Sequence, residues 1–273
     1  MQSMLDEADE SDSGAPIALP QGVQVKRDLA YGPDDAQRID VYVPAGAHQA
    51  PVLFMVHGGA WMLGDKASAR VVANKVAFWL PKGYILVSVN YRLRPPDPLR
   101  QVEDVAMALA FVQAQAASWG GDSAHLVVMG HSAGAHLVSL LASDPSIAGA
   151  QGAKPWLGTV ALDSAAMDVV RIMQAPHLRF YDRVFRGDPS YWRSVSPLHR
   201  LSAAPRPMLL VCSSQRADSC PQAQSFAAKV TQLGGRVLLV PIDKSHREIN
   251  ADLGLPGTYT DAVAAFMHSL GVP

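Results

Sequence analysis

Ser132 stands between two glycines in Gly130-His131-Ser132-Ala133-Gly134, directly after the apolar run Val127-Val128-Met129. A serine raised on a sharp bend can attack a carbonyl carbon if a base removes its proton and fixed N–H donors stabilise the oxyanion. The plain structural alternative is a serine that only caps a helix. The pattern alone does not decide, so the rest of the chain must supply the donors, the base and an acid to orient the base.

Donors are offered by His57-Gly58-Gly59-Ala60-Trp61, which follows the apolar run Val52–Val56. Small residues let the main chain approach a ligand and turn its amides toward one point. For the base there are nine histidines. His57 and His131 lie inside the two motifs, and His136 is one turn into the segment after Ser132. His48, His125 and His268 fall on surfaces away from the expected site, while His177 and His199 lie within or beside an irregular region. His246 differs. It follows the run Val237–Val240, in a loop expected to open onto the same edge as Ser132.

These residues need a frame. Short apolar runs at Ile39–Val43, Val52–Val56, Tyr84–Val89, Leu126–Met129, Thr159–Leu162, Met208–Cys212 and Val237–Val240 read as strands. Segments with helical spacing lie between them at Ser68–Leu80, Leu99–Ala117, Ala133–Ala142, Pro221–Leu233 and Thr258–Leu270. This alternation predicts an α/β fold, a mostly parallel sheet flanked by helices. The first strands, joined by the Pro/Gly segment after Val43, are expected to start the sheet antiparallel. Residues 164–200, rich in aromatics and arginine, read as a small helical excursion within a single domain of residues 21–273. Ser132 then falls between a strand and a helix, the position of a nucleophile elbow.

With both motifs in place, the chain resembles the α/β-hydrolases, and within them the carboxylesterases whose oxyanion loop reads His-Gly-Gly-x-Trp. Small esterases and kynurenine formamidases look similar, whereas hormone-sensitive-lipase-like esterases carry His-Gly-Gly-Gly, so Ala60 departs from that branch. The stretches "YGPDDAQRIDVYVP" and "VNYRL" add to the likeness, which runs from about Tyr31 to Leu270. The resemblance implies an oxyanion hole made by the amides of Gly59, Ala60 and Ala133, with His57 structural and Trp61 facing the cleft. Its order of nucleophile, acid, histidine implies His246 as base. It implies Asp218, after Met208–Cys212, as the acid, with Asp163 one strand earlier as the runner-up. Asp243 is too close to His246 in the chain to reach its far nitrogen. Asp104 is expected to be a structural partner. Cys212 and Cys220 flank the Asp218 loop, and a bridge between them would clamp it.

The expected function is a serine carboxylesterase acting on small, short-chain or aromatic ester substrates through an acyl-enzyme, since no large lid is evident. An amidase of the kynurenine-formamidase type would use the same residues. A non-catalytic binding protein would be expected to have lost a triad member. Phe180, Tyr181, Phe185, Tyr191 and Trp192 either wall a substrate pocket or form the excursion's own core. No metal or organic cofactor is implied. The 273 residues carry a net charge of −1 with no long basic run, which argues against a nucleic-acid partner. No apolar run approaches the ~20 residues a membrane helix needs. Residues 1–13 hold five acids and no base, unlike a leader, and 1–20 are expected to be a mobile acidic tail. The compartment is therefore expected to be cytoplasmic, or periplasmic or secreted if a leader has been cut away.

Overall fold

The structure, a computed structural model, describes residues 17–273. The acidic segment at 1–16 lies outside the described residues. The strands are β1 (Gln24–Ala30), β2 (Arg38–Val43), β3 (Ala50–Val56), β4 (Ile85–Val89), β5 (Gly121–His131), β6 (Gly158–Leu162), β7 (Met208–Ser213) and β8 (Val237–Ile242). The helices are α1 (Ala69–Trp79), α2 (Pro98–Gln115), α3 (Ala133–Ser143), α4 (Pro145–Ala150), α5 (Val169–Gln174), α6 (Phe180–Phe185), α7 (Pro189–Ser194), α8 (Pro197–Arg200), α9 (Ser219–Gln232), α10 (His246–Ala251) and α11 (Thr258–His268).

One sheet runs in the order β1-β2-β4-β3-β5-β6-β7-β8. From β4 onward all pairings are parallel, while β1 with β2 and β2 with β4 are antiparallel. The antiparallel start therefore forms, but β2 pairs across to β4 and not to its chain neighbour β3. The continuous apolar runs follow from double coverage. Along β3, Val52, Phe54 and Val56 enter one core with the helix face of Val102, Val105, Leu109 and Val112. Leu53 and Met55 enter the opposite core with Val72, Val76, Val263 and Phe266. Alternate side chains of a strand point to opposite faces, so a strand covered on both sides must be apolar throughout.

Helix α2 starts where Asp97 accepts from the amides of Leu99 and Arg100, with Pro98 in the first turn. Asp104 on α2 is fully buried and bound by Arg92 and Gln37, so it anchors the strand-to-helix connection. The excursion consists of the four short helices α5–α8, which pack over one end of the sheet.

Candidate active site

Strand β5 delivers Ser132 and α3 leaves from it. Ser132 has φ 53° and ψ −118°, a conformation costly for a residue with a Cβ. Its amide is held by Leu162 O at 2.9 Å, at the end of β6. The flanking glycines are required for space. A Cβ on Gly130 would lie 2.4 Å from Gly134 O, and one on Gly134 would lie 2.3 Å from Val56 O and 2.5 Å from His57 O. Strand β3, strand β5 and helix α3 therefore meet backbone to backbone at the serine.

The loop of residues 57–61 is strained in the same sense at Ala60 and Trp61. Gly59, Ala60 and Trp61 all have positive φ, at 110°, 51° and 61°. His57 serves the loop itself. Its ring stacks on Tyr91 at 4.6 Å, its Nδ1 lies 2.6 Å from Gly58 O, and Tyr91 Oη donates to His57 O. Among the described residues, none accepts from the amides of Gly59, Ala60 or Ala133. The side chain of Trp61 does not face the cleft. It is 4 % exposed, donates from Nε1 to His136 Nδ1 at 3.1 Å, and packs edge-on against Phe185. Trp61 thus ties the loop to the excursion. The residues after it, Met62 and Leu63, line a cavity of about 670 Å³ together with Arg94, Pro95, Pro96 and Arg183. Phe180, Tyr181 and Phe185 are buried in the main core, while the polar atoms of Tyr191 and Trp192 bond to Asp97 Oδ1 and Arg186 O. These aromatics dock the excursion onto the core.

His246 opens the short helix α10, whose start is fixed by a capping box between Ser245 and Glu248. The imidazole is buried, and His131 Nε2–H donates to the His246 carbonyl at 3.0 Å. Nδ1 lies 2.5 Å from Asp163 Oδ2. Nε2 is buried and has no hydrogen-bond partner among the described residues. Burial lowers the His246 pKa, with His131 and Arg216 adding to that effect and Asp163 opposing it.

The acid at this histidine is Asp163, not Asp218. Asp163 follows β6 directly and is fully buried. Its Oδ1 accepts from the Ser213 amide at 2.7 Å and from Ser219 Oγ–H. Its Oδ2 is shared by His246 Nδ1 and by Arg216 Nη1 at 3.0 Å. Burial works to raise the Asp163 pKa. The hydrogen bond and charge of His246, then Arg216 and Ser219, outweigh it and hold the carboxyl well below the usual carboxylate range. The Asp218 side chain is 58 % exposed and lies 3.4 Å from Arg216 Nε. The turn after β7 swings Asp218 outward and places the Arg216 side chain where a carboxylate was expected. Cys212 and Cys220 are joined by a disulfide across this turn.

The three side chains Ser132, Asp163 and His246 therefore gather at one sheet edge. Ser132 and Asp163 sit at the ends of paired strands, and His246 returns from beyond β8 to bond Asp163. Chemically, this is a hydroxyl on a strained bend, a buried neutral imidazole oriented by a carboxylate, and a set of unclaimed amides. It can deprotonate a serine and stabilise an oxyanion. No group of three or more His, Cys, Asp or Glu suited to a metal ion occurs among the described residues, and none of their helices is long and apolar enough to cross a membrane.

Residues 39–153 match the family model described as BD-FAE. The chain is 28 % identical over 228 residues to esterase LipC of Mycobacterium tuberculosis, covering 75 % of this chain and 55 % of that protein. Among solved structures it resembles esterase B from Lactobacillus rhamnosis with a TM-score of 0.77 and 18 % identity, covering 99 % and 95 % of the two chains. It resembles esterase 2 of Thermogutta terrifontis with a TM-score of 0.72 and 21 % identity, covering 92 % and 93 %. The chain spans about half the length of LipC and less of several other curated relatives.

Proposed function

We propose that the chain is a serine carboxylesterase of the α/β-hydrolase type acting on small, short-chain or aromatic esters. The observation that carries this reading is His246, bound through Nδ1 to buried Asp163 and left with a buried, unpartnered Nε2, at the same sheet edge as Ser132. Nε2 takes the proton from Ser132 Oγ as Oγ bonds to the ester carbonyl carbon. The amides of Gly59, Ala60 and Ala133 receive the oxyanion. The imidazolium then returns its proton to the leaving alkoxy oxygen, which departs as alcohol and leaves an acyl-serine. Water, deprotonated by the same nitrogen, attacks the acyl carbon. Collapse of the second tetrahedral intermediate frees the acid and restores Ser132. Asp163 stays ionised throughout and holds the imidazole in the tautomer with Nε2 free.

One feature supports a small substrate: the excursion is built of helices of only four to six residues, and its aromatics are taken up in packing against the core and in hydrogen bonds. The test is hydrolysis of p-nitrophenyl esters from acetate to dodecanoate by wild type and S132A, with formylkynurenine as the amide control. Fast turnover that peaks at short chains and falls at least about 10⁴-fold in S132A is expected. A peak at long chains overturns the substrate class. Turnover of the amide alone replaces the esterase with an amidase, and activity that survives in S132A removes Ser132 as nucleophile.

A further inference from the structure

Arg216 is an unusual neighbour for such a site. Its Nη1 lies 3.0 Å from Asp163 Oδ2 and 2.7 Å from His246 Nδ1. The same nitrogen approaches Asp163 O at 3.4 Å, and Nε lies 3.4 Å from Asp218 Oδ1. The guanidinium side chain is only 15 % exposed. Arg216 sits on the turn closed by Cys212–Cys220, and the residues at both ends of that turn, Ser213 and Ser219, also donate to Asp163. The whole turn is thus organised around the carboxylate.

Arginine is always protonated and cannot accept, so its contact with Nδ1 has only two chemical readings. Either Nδ1 accepts from Nη1, or both nitrogens donate to the shared Oδ2. The first would leave the ring proton on Nε2 and disable the base. The carboxylate between them, ionised and the stronger acceptor, favours the second. A fixed positive charge then lies flush against the imidazole.

We propose that Arg216 is a positioning residue that fixes Asp163 and sets a permanent positive charge against the His246 ring, which adds to burial in disfavouring an imidazolium there. This inference rests on the serine-esterase reading above. The charges that face His246 are few. Asp163 favours the imidazolium. Arg216 opposes it, as does His131, whose ring centroid is 4.5 Å away on the β5 side. Tyr259 on α11 is held neutral by burial and donates to Ile249 O. Lys244 and Asp252, before the start and after the end of α10, are paired to each other. Asp218 partly offsets Arg216 but is exposed to solvent, which weakens its effect.

Removing a charge at this distance, in a partly screened site, shifts a neighbouring titration by about one pH unit. The experiment compares wild type, R216M and R216K by NMR titration of the His246 ring and by the pH profile of kcat/KM on the best p-nitrophenyl ester. In R216M both the ring titration and the acid limb should move up by about one pH unit. R216K, which keeps the charge but loses the fork, should hold the acid limb near wild type while kcat falls several-fold. If R216M does not fold, R216Q replaces it. An unmoved or downward-moving titration in R216M or R216Q overturns the proposal. If wild type hydrolyses no ester, the esterase reading fails, and the ring titration still decides whether Arg216 tunes His246.

Discussion

The sharpest prediction concerns the identity of the acid. In D163N the amide offers one oxygen to two donors that cannot reverse, the Ser213 N–H at the Oδ1 position and Arg216 Nη1–H at the Oδ2 position, so either orientation leaves one unmatched buried contact. With the oxygen at Oδ2, His246 keeps its tautomer but loses the negative charge that stabilises the imidazolium. With the NH₂ at Oδ2, His246 must accept at Nδ1 and carry its proton on Nε2, and that tautomer cannot take the serine proton. A wrong tautomer in such a triad costs about 10⁴-fold, or about 5.5 kcal/mol of transition-state stabilisation. D218N removes one weak contact at 3.4 Å from an exposed side chain and should change kcat/KM by less than about threefold. The assay is kcat/KM at pH 8 on the best p-nitrophenyl ester, with circular dichroism to confirm folding. D163N activity within tenfold of wild type, or a loss above about a hundredfold in D218N, would refute the assignment.

Two further outcomes follow from the structure. Reducing Cys212–Cys220 opens a loop with a sequence separation of 8, for which chain-entropy arguments give a loss of about 2.5 kcal/mol. The thermal midpoint should fall by roughly 5–10 °C and kcat/KM should drop with it, because the donors to Asp163 loosen. An unchanged midpoint after thiol titration confirms cleavage would show that packing alone holds the turn. His136, fully buried, has its pKa pushed down to about 4 by burial, with Nδ1 accepting from Trp61 and Nε2–H donating to Val195 O. Between pH 6.5 and 4 the unfolded chain binds the extra proton and the folded one does not, so stability must fall on acidification, by up to roughly 3 kcal/mol. Urea melts at pH 7.5 and 4.5 should show a smaller difference in H136Q than in wild type.

Much of this site was legible before the fold. The elbow and the His-Gly-Gly-Ala-Trp loop are local motifs, each read from a few consecutive residues after an apolar strand, and His246 needed only its place after the last strand. Asp218 shows where such reading stops. Both Asp163 and Asp218 follow strands at the right edge, and chain order cannot say which carboxylate reaches the imidazole. That depends on how the five-residue turn between Ser213 and Ser219 aims its side chains. The direction of Trp61 was hidden for the same reason, because a tryptophan after an oxyanion loop can pack inward or outward. Strand β1 was missed because it is mostly exposed at the sheet edge and carries Lys26, Arg27 and Asp28. Helix α10 was missed because it is only six residues long, although Ser245 and Glu248 held the capping-box signal.

The glycine contacts at the elbow have a dynamic consequence. Gly134 lies so close to Val56 and His57 that α3 cannot shift without pushing on the strand that leads into the oxyanion loop. The proposed attacking oxygen of Ser132 and the amides proposed to receive the oxyanion therefore share one frame of reference. Thermal displacement of that frame carries both together, so the separation between them should fluctuate less than the position of either one. The reaction depends on that separation, which makes the site quieter in the coordinate that matters than its local mobility would suggest.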